Sequence, residues 1–278
     1  MHRRMPMLAA VVTVSLLQGC VLFDMHRASE DRRLTVTHVE GSGLQVTSRN
    51  GSIEVVADDS VDEVIVDVHL TCGGSSAAQA KERLQAAIVV IERDTSRMLT
   101  IRPEFPGGPQ NNDGANITVR LPGAVGASLS TSNGRVTTRG LAGALVVDTS
   151  NGRVIVDDHD GEARIHTSNG RIEVRELSGS LDARTSNGKV HVALTDDAPG
   201  PIHVRSSNGS ILAIVGAAFL GRIDFDTSNG RVKVTGSEAR LVRERISGGD
   251  GYAVVGAADG PQSMLDTSNG SIELHILN

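Results

Sequence analysis

A basic side chain recurs at a fixed place in a repeated motif, two residues after an asparagine. The motif is Thr-Ser-Asn-Gly, and consecutive copies place Arg135, Arg153, Arg171 and Lys189 at intervals of 18 residues. Cations repeated at one position of stacked repeats form a row, and they repel one another unless something negative lies beside them. The spacing therefore predicts either a binding site for an anionic polymer or a face that nearby carboxylates neutralise. The nearby carboxylates in the sequence are Asp157, Asp158, Glu173 and Glu176.

The asparagines of this motif are interpreted as structural turn residues. A motif that recurs at seven places is a poor candidate for one active site, whereas an asparagine amide can form a hydrogen bond from one repeat to the next. The glycine after each asparagine is expected to supply the positive φ of a sharp corner. One of the seven copies reads Ser-Ser-Asn-Gly. The asparagines are Asn133, Asn151, Asn169, Asn187, Asn208, Asn229 and Asn269.

Apolar residues recur three and five positions after the asparagine, as in Ile172 and Val174, with polar residues between them. This period of two predicts strands with one inward face. The asparagines are 18, 18, 18, 21, 21 and 40 residues apart, so residues 122–278 are predicted to form an all-β solenoid, a parallel β-helix with coils of 18–21 residues. The last interval is interpreted as two coils, with Ser247-Gly248-Gly249 as a degenerate corner.

Residues 34–121 lack the regular repeat and are predicted to form a mixed β section that caps the amino-terminal end of the β-helix. Within this section, Asn50-Gly51 marks a diverged first copy. Ser76 with Gln79 three positions later predicts one short helix near residues 77–88. At the other end the chain stops at Asn278, directly after a repeat strand that contains Ile276. The carboxyl-terminal coil is therefore expected to be an open end that can pair with another copy.

The first 19 residues have the pattern of a signal peptide, in which Arg3 and Arg4 precede an apolar stretch too short to span a membrane. Leu17, Gly19 and Cys20 resemble the bacterial lipobox. That resemblance implies that Cys20 is lipidated and becomes the first mature residue, and that residues 20–33 form a tether. The residue directly after the cysteine is Val21 and not Asp. By resemblance to enterobacterial sorting rules, this implies the outer membrane, on its periplasmic or surface side, rather than the inner membrane.

The composition excludes several classes of function. The formal net charge is -6, with no Trp, one Tyr and four Phe, so the chain lacks the basic surplus and the stacking platforms of nucleic-acid-binding proteins. No nucleophile elbow or phosphate-binding loop is present, so no enzyme activity and no cofactor are expected. The histidines lack metal-ligand spacing, and residues 247–251 match only part of a calcium-binding repeat, so no metal is expected. With Cys20 lipidated, Cys72 has no disulfide partner and is expected to be buried.

The lipobox, the capping section and the repeated Thr-Ser-Asn-Gly-Arg-Val coils together resemble the bacterial putative-adhesin family of domains of unknown function, which includes head-GIN-type envelope proteins. The match covers residues 34–278. The resemblance implies a single-stranded right-handed parallel β-helix in the cell envelope, and it supplies no binding residues. We expect a lipid-anchored protein whose repetitive surface serves adhesion or scaffolding, with an anionic envelope polymer or an envelope protein as partner. A self-assembling scaffold similar to bactofilins, and a polysaccharide-acting hydrolase or lyase, remain as alternatives.

Overall fold

The computed structural model describes residues 13–16 and 26–278; the predicted lipidation site, Cys20, lies outside them. Within these ranges the chain is built from strands and a single helix, α1. The elements of the amino-terminal part are β1 Thr13–Leu16, β2 Arg27–Thr37, β3 Leu44–Asn50, β4 Ile53–Ala57, β5 Glu63–Gly73, α1 Ala77–Ala86, β6 Ile88–Arg93, β7 Leu99–Glu104 and β8 Gly114–Leu121. The elements of the repeat region are β9 Val125–Asn133, β10 Val136–Arg139, β11 Ala142–Thr149, β12 Val154–His159, β13 Ala163–Thr167, β14 Ile172–Leu177, β15 Leu181–Asn187, β16 Val190–Leu194, β17 Ile202–Asn208, β18 Ile211–Val215, β19 Gly221–Asn229, β20 Val232–Gly236, β21 Leu241–Ser247, β22 Asp250–Val255, β23 Ser263–Asn269 and β24 Ile272–Ile276.

The strands form two 12-stranded sheets, and each repeat contributes one strand to each sheet. Sheet A has the spatial order β1-β2-β5-β8-β4-β10-β12-β14-β16-β18-β24-β20, and sheet B has the order β21-β22-β19-β23-β17-β15-β13-β11-β9-β3-β7-β6. Repeat strands pair in parallel and join equivalent residues, so that Val136 lies opposite Val154 and Val154 opposite Ile172. The predicted all-β, solenoid-like arrangement of parallel strands is confirmed.

The core consists of aliphatic columns that run across the strands. The residues three positions after the motif asparagine point inward, and Val136, Val154, Ile172 and Val190 are each no more than 1% exposed. Burial of such a side chain contributes about 1.5–3 kcal/mol. Because a column repeats the same small set of residue types, the layer between the sheets is thin and uniform, and the outward positions are left free for other chemistry.

The Thr-Ser-Asn-Gly corners stack so closely that the backbone of one coil touches the next. Each corner threonine is buried and donates its hydroxyl to a glycine carbonyl of the neighbouring coil, as Thr167 does to Gly152 at 3.2 Å. A Cβ on Gly152 would lie 1.8 Å from the carbonyl oxygen of Gly134. The prediction that this glycine supplies a positive φ is wrong in the regular coils, where its backbone lies outside that region. Glycine is required there because nothing larger than hydrogen fits.

The carboxyl-terminal coil is not the open end that the sequence predicts. Strand β24 lies between β18 and β20, and β23 lies between β17 and β19. The last coil of the chain is thus inserted between two earlier ones, and Ile276 is 2% exposed. The interpretation of residues 247–249 as a degenerate coil corner is also wrong, because β21 and β22 form an antiparallel hairpin that pairs with the edge of β19.

At the amino-terminal end, too, the order of the coils in space differs from their order along the chain. The diverged first copy, strands β3 and β4, lies between the coil of β7 and β8 and the coil of β9 and β10. Residues 44–57 therefore belong to the stack of coils rather than to a separate capping section. Strands β2 and β5 complete this end of sheet A in antiparallel pairing. Since β2 begins at Arg27, the segment predicted as tether is already part of the sheet from that residue onward.

Helix α1 has the predicted amino-terminal cap. The Ser76 hydroxyl accepts a hydrogen bond from the backbone N–H of Gln79 at 3.2 Å, and the Gln79 side chain accepts one from the N–H of Ser75 at 2.6 Å. The helix ends at Ala86, two residues before the predicted end, because Ile88 begins strand β6. Arg83 holds the helix to the loop between β7 and β8 through an ion pair with the fully buried side chain of Asp113, at 2.5 Å.

The inserted position of β24 predicts a large effect of truncating Ile276. The change Ile276→Ala leaves a cavity between two paired neighbours and is expected to lower the free energy of unfolding by about 2–5 kcal/mol. The matched control is Leu277→Ala, since Leu277 is 36% exposed and its loss should cost less than about 0.5 kcal/mol. Urea denaturation measures both. Equal stabilities for the two variants would place β24 at an open end.

Candidate anion-binding face

The four predicted cations lie side by side on the outer face of sheet A. Each immediately precedes a strand, and backbone hydrogen bonds link one coil to the next at these positions. The N–H of Val136 donates to the carbonyl of Arg153 at 3.0 Å, and that of Ile172 to the carbonyl of Lys189 at 3.1 Å. Neighbouring coils are therefore one strand spacing apart, about 4.8 Å. We call this set the cation row: Arg135, Arg153, Arg171 and Lys189.

The side chains of the cation row are exposed. Among the residues that the structure describes, no carboxylate lies within ion-pairing distance of any of the four. Two of the predicted neutralising acids pair with other arginines, Asp157 with Arg139 at 3.3 Å and Glu173 with Arg175. The other two, Asp158 and Glu176, are exposed and form no ion pair among the described residues. The row thus keeps its positive charge available to solvent, although the chain as a whole is acidic.

A groove of about 410 Å³ runs beside the carboxyl-terminal half of the row. Arg171 and Lys189 line one side, and His191, Glu173 and Glu273 stand on the strands next to them. The Nε2 atom of His191 is buried and has no hydrogen-bond partner among the described residues. The groove therefore combines cations, acceptors and one unsatisfied imidazole nitrogen. Sequence reasoning missed His191, although its outward position two residues after Lys189 is visible in the strand alternation.

The charge state of Glu173 is fixed by its neighbours. A side-chain hydrogen bond from Arg175 holds the pKa of Glu173 below its ordinary value, and the charges of Arg175, His191 and Arg153 act in the same direction. Glu173 therefore stays ionised at neutral pH. Within the groove its carboxylate is a hydrogen-bond acceptor.

The motif asparagines form a continuous ladder along one corner of the coils. Each side-chain N–H donates to the Oδ1 of the asparagine in the adjacent coil, for example from Asn169 to Asn151 at 2.9 Å and from Asn187 to Asn169 at 2.8 Å. The inserted last coil takes part, because Asn269 donates to Asn208 and accepts from Asn229, both at 2.9 Å. Since these amides bond to each other, their role in the described structure is to hold the coils in register.

Sheet B carries a second groove, of about 600 Å³, near its carboxyl-terminal end. Its charge is mixed: Asp226 and Asp250 stand opposite each other across β19 and β22, while Arg222 covers one face of the Tyr252 ring at 4.2 Å. Asp266 lies next to Asp226 on β23 and binds Arg205 at 2.8 Å. This row of three carboxylates is another feature that the sequence analysis missed, because β19, β22 and β23 are not successive coils.

Partial desolvation, followed by the charges of Asp250 and Asp266, raises the pKa of Asp226 above its ordinary value. The folded state then binds the proton more tightly than the unfolded state does, so folding is penalised once the pH has risen through the raised pKa. Asp226→Asn is expected to raise the melting temperature at pH 7, and the gain should shrink as the pH falls through the raised pKa and vanish below the ordinary carboxyl value of 3.8. Thermal melts across this pH range measure it.

Asp148→Asn is the matched control for this prediction. Asp148 occupies the equivalent outward position of sheet B, but its register neighbours are Ser130 and His166 rather than carboxylates. The control should therefore show no gain in melting temperature at neutral pH. A gain of the same size in both variants would mean that carboxylate repulsion at Asp226 is not the cause.

The described residues offer little other reactive chemistry. Cys72 is fully buried, and that burial raises the pKa of its thiol to about 11, so the thiol is protonated at neutral pH. Between residues 26 and 278, no three His, Cys, Asp or Glu side chains are grouped so that they could hold a metal ion. The helix found in that range is too short and too polar to cross a membrane.

Comparison with known proteins gives a family and several distant solved structures. A family model described as Toastrack DUF4097 matches residues 111–275. A putative adhesin from Bacteroides fragilis is 12% identical, with a TM-score of 0.39, and the alignment covers 89% of this chain and 96% of the other. A putative cell adhesion protein from Clostridium sporogenes is 9% identical, with a TM-score of 0.32 and coverages of 96% and 100%. No curated protein matches. TM-scores this low carry no inference about binding.

Proposed function

Since the chain belongs to the Toastrack DUF4097 family, whose solenoid-like fold leaves its outward columns free, we propose that it is a non-enzymatic binding module of the bacterial cell envelope that holds an anionic polymer on its cation row. The observation that carries the proposal is the alignment of four exposed cations without an ion-pair partner among the described residues. Four like charges held one strand spacing apart repel one another. A polyanion laid along the row relieves that repulsion.

We also propose the detailed architecture of the coils and the cellular location of the protein. The coils are those of a single-stranded, right-handed parallel β-helix with 18–21 residues each; the strong preference for right-handed crossovers between parallel strands supports this hand. Lipid on Cys20 anchors the chain, by the lipobox pattern of Leu17 to Cys20, in the outer rather than the inner membrane. Strand β2 begins at Arg27, so only six residues separate the anchor from the folded solenoid.

The two alternatives receive less support. Self-assembly through the last coil required Ile276 at an open end, whereas β24 is paired on both sides. The edge strand there is β20, which is five residues long and carries Lys233, a feature that discourages strand addition. For hydrolysis of a glycan, the opposed carboxylates of Asp226 and Asp250 lie in the groove on sheet B, on the other sheet from the cation row that would hold the polymer.

Binding is tested with serine substitutions in the cation row. Serine already occupies this position in three coils, at Ser52, Ser210 and Ser271, so Arg153→Ser with Arg171→Ser should fold normally. Retention on immobilised polygalacturonate, heparin and polyphosphate is measured as a function of salt. Loss of two of four cations should reduce the slope of log Kd against log salt to about half.

The control for this pair carries the same change in net charge on the opposite face. Arg164 and Arg184 are exposed on sheet B and pair with Glu162 and Asp182. The double variant Arg164→Ser with Arg184→Ser should keep the retention and salt dependence of the unaltered chain. If both double variants lose retention equally, binding depends on overall charge, and the cation row is not the site.

The lipid anchor is tested separately. Cys20→Ser removes the only acceptor of the proposed lipid, so the chain should move from the membrane fraction to the soluble fraction and lose the added mass of the lipid. Cys72→Ala is the control, because Cys72 is buried inside the fold and its replacement should leave the protein in the membrane fraction. A membrane-bound Cys20→Ser protein of unchanged mass would contradict lipidation at this residue.

A further inference from the structure

The repeat distance of the cation row restricts which polyanions fit it. Positive charges recur at every coil, about 4.8 Å apart, over four coils in an unbroken run. A ligand that satisfies all four at once must present its negative charges at nearly the same interval. Polymers with a different interval contact one or two cations well and miss the others.

Two common polyanions do not match this interval. Nucleic acid carries one phosphate per 3.4 Å of each strand in a duplex, and the row offers no aromatic side chain on which unpaired bases stack. An extended acidic peptide advances by about 3.3 Å per residue, so its carboxylates are too dense, or at every second residue too sparse. A 1,4-linked polyuronate, in contrast, advances by close to one strand spacing per ring and carries one carboxylate on each ring. Successive carboxylates lie on different sides of that chain, and the long, exposed side chains of the row reach them from below and from the flanks.

The surroundings of the row also favour a sugar. Serine hydroxyls continue the row beyond the cations on both sides, at Ser52 before Arg135 and at Ser210 after Lys189. Next to the row, the groove of about 410 Å³ presents the carboxylates of Glu173 and Glu273. Carboxylates accept hydrogen bonds from sugar hydroxyls, and a polyphosphate has no such donors to offer. His191 also lines the groove on this side.

We infer that the polymer bound by this face is a linear acidic polysaccharide with one carboxylate on each sugar, lying across the strands of sheet A with successive carboxylates on successive coils. This inference rests on the proposed function and adds the class of ligand and its direction. Arg135, Arg153, Arg171 and Lys189 each hold one carboxylate, and Glu173, His191 and Glu273 contact the hydroxyls of the sugars bound by Arg171 and Lys189.

The test is the dependence of affinity on chain length. Galacturonate oligomers of two to eight sugars are titrated into the lipid-free chain carrying Cys20→Ser, with neutral galactose oligomers of equal length as the ligand control. Each added uronate should improve Kd about two- to fivefold up to four sugars, as expected for exposed ion pairs, with a much weaker gain from the fifth sugar onward. The neutral oligomers should show no such dependence.

Two substitutions locate the break. Lys189→Ser shortens the run of cations to three. The oligomer length beyond which the affinity improves only weakly should therefore fall from four sugars to three. Arg231 occupies the same position three coils beyond Lys189, after Ser210 and Ser271. Arg231→Ser should therefore leave the affinity for the four-sugar oligomer unchanged and weaken only oligomers of seven sugars or more.

The outcomes separate this inference from the proposed function. If polyphosphate binds more tightly than oligogalacturonate of equal charge, or if affinity grows with no break at four sugars, the ligand class is wrong. Binding that still depends on Arg153 and Arg171 would leave the polyanion site standing in that case. If no polyanion binds in a manner that depends on these two arginines, the proposed function and the inference both fail.

Discussion

The close backbone contact at the Thr-Ser-Asn-Gly corner is the constraint on which the rest of the structure depends. The carbonyl oxygen of Gly134 occupies the place where a Cβ of Gly152 would stand, and the same contact recurs from coil to coil. The threonine hydroxyl beside it donates to that carbonyl, and the asparagine amide bonds to its equivalent. Together these contacts fix the distance and the register between coils. The residues of all remaining columns are therefore regularly spaced as well.

Because of this regular spacing, the residues that folding requires and the residues that the surface presents occupy different columns. The inward columns are filled by aliphatic side chains and allow little change, since each is nearly fully buried. The outward position before each strand of sheet A accepts both arginine and serine, as Arg171 and Ser271 show. Folding therefore does not dictate the cations. Their concentration in four adjacent coils, despite mutual repulsion, is the feature on which the proposed binding function rests.

The sequence predicts the coils well because burial repeats at the same spacing as the motif. Residues such as Val154 and Ile172 are identified as core by their column alone. The sequence does not predict the order of the coils in space. Every coil presents similar strand edges, so the repeat pattern shows which residues align but not which coils are neighbours. The insertion of β24 between β18 and β20 follows from long-range pairing that has no local signal.

The same distinction explains the errors at single residues. The need for glycine at position 152 was predictable, but a motif shows only that a side chain is excluded, and it does not distinguish a positive φ from a close approach. His191 was overlooked because its register neighbours, Glu173 and Leu212, come from other coils. The row of Asp226, Asp250 and Asp266 joins two parallel coils with a hairpin, so it is visible only in the folded chain.

The first and last coils of the chain are each inserted between two others, and the cation row lies between them. A terminal coil that is last in both sequence and space can detach by itself, whereas one held between two neighbours opens only when they separate. Here the first coil of the chain, β3 with β4, and the last, β23 with β24, are both held in this way. The cation row lies on the coils between these two inserted coils. A binding face that matches a ligand by spacing needs coils that keep their distance, and this topology supplies it.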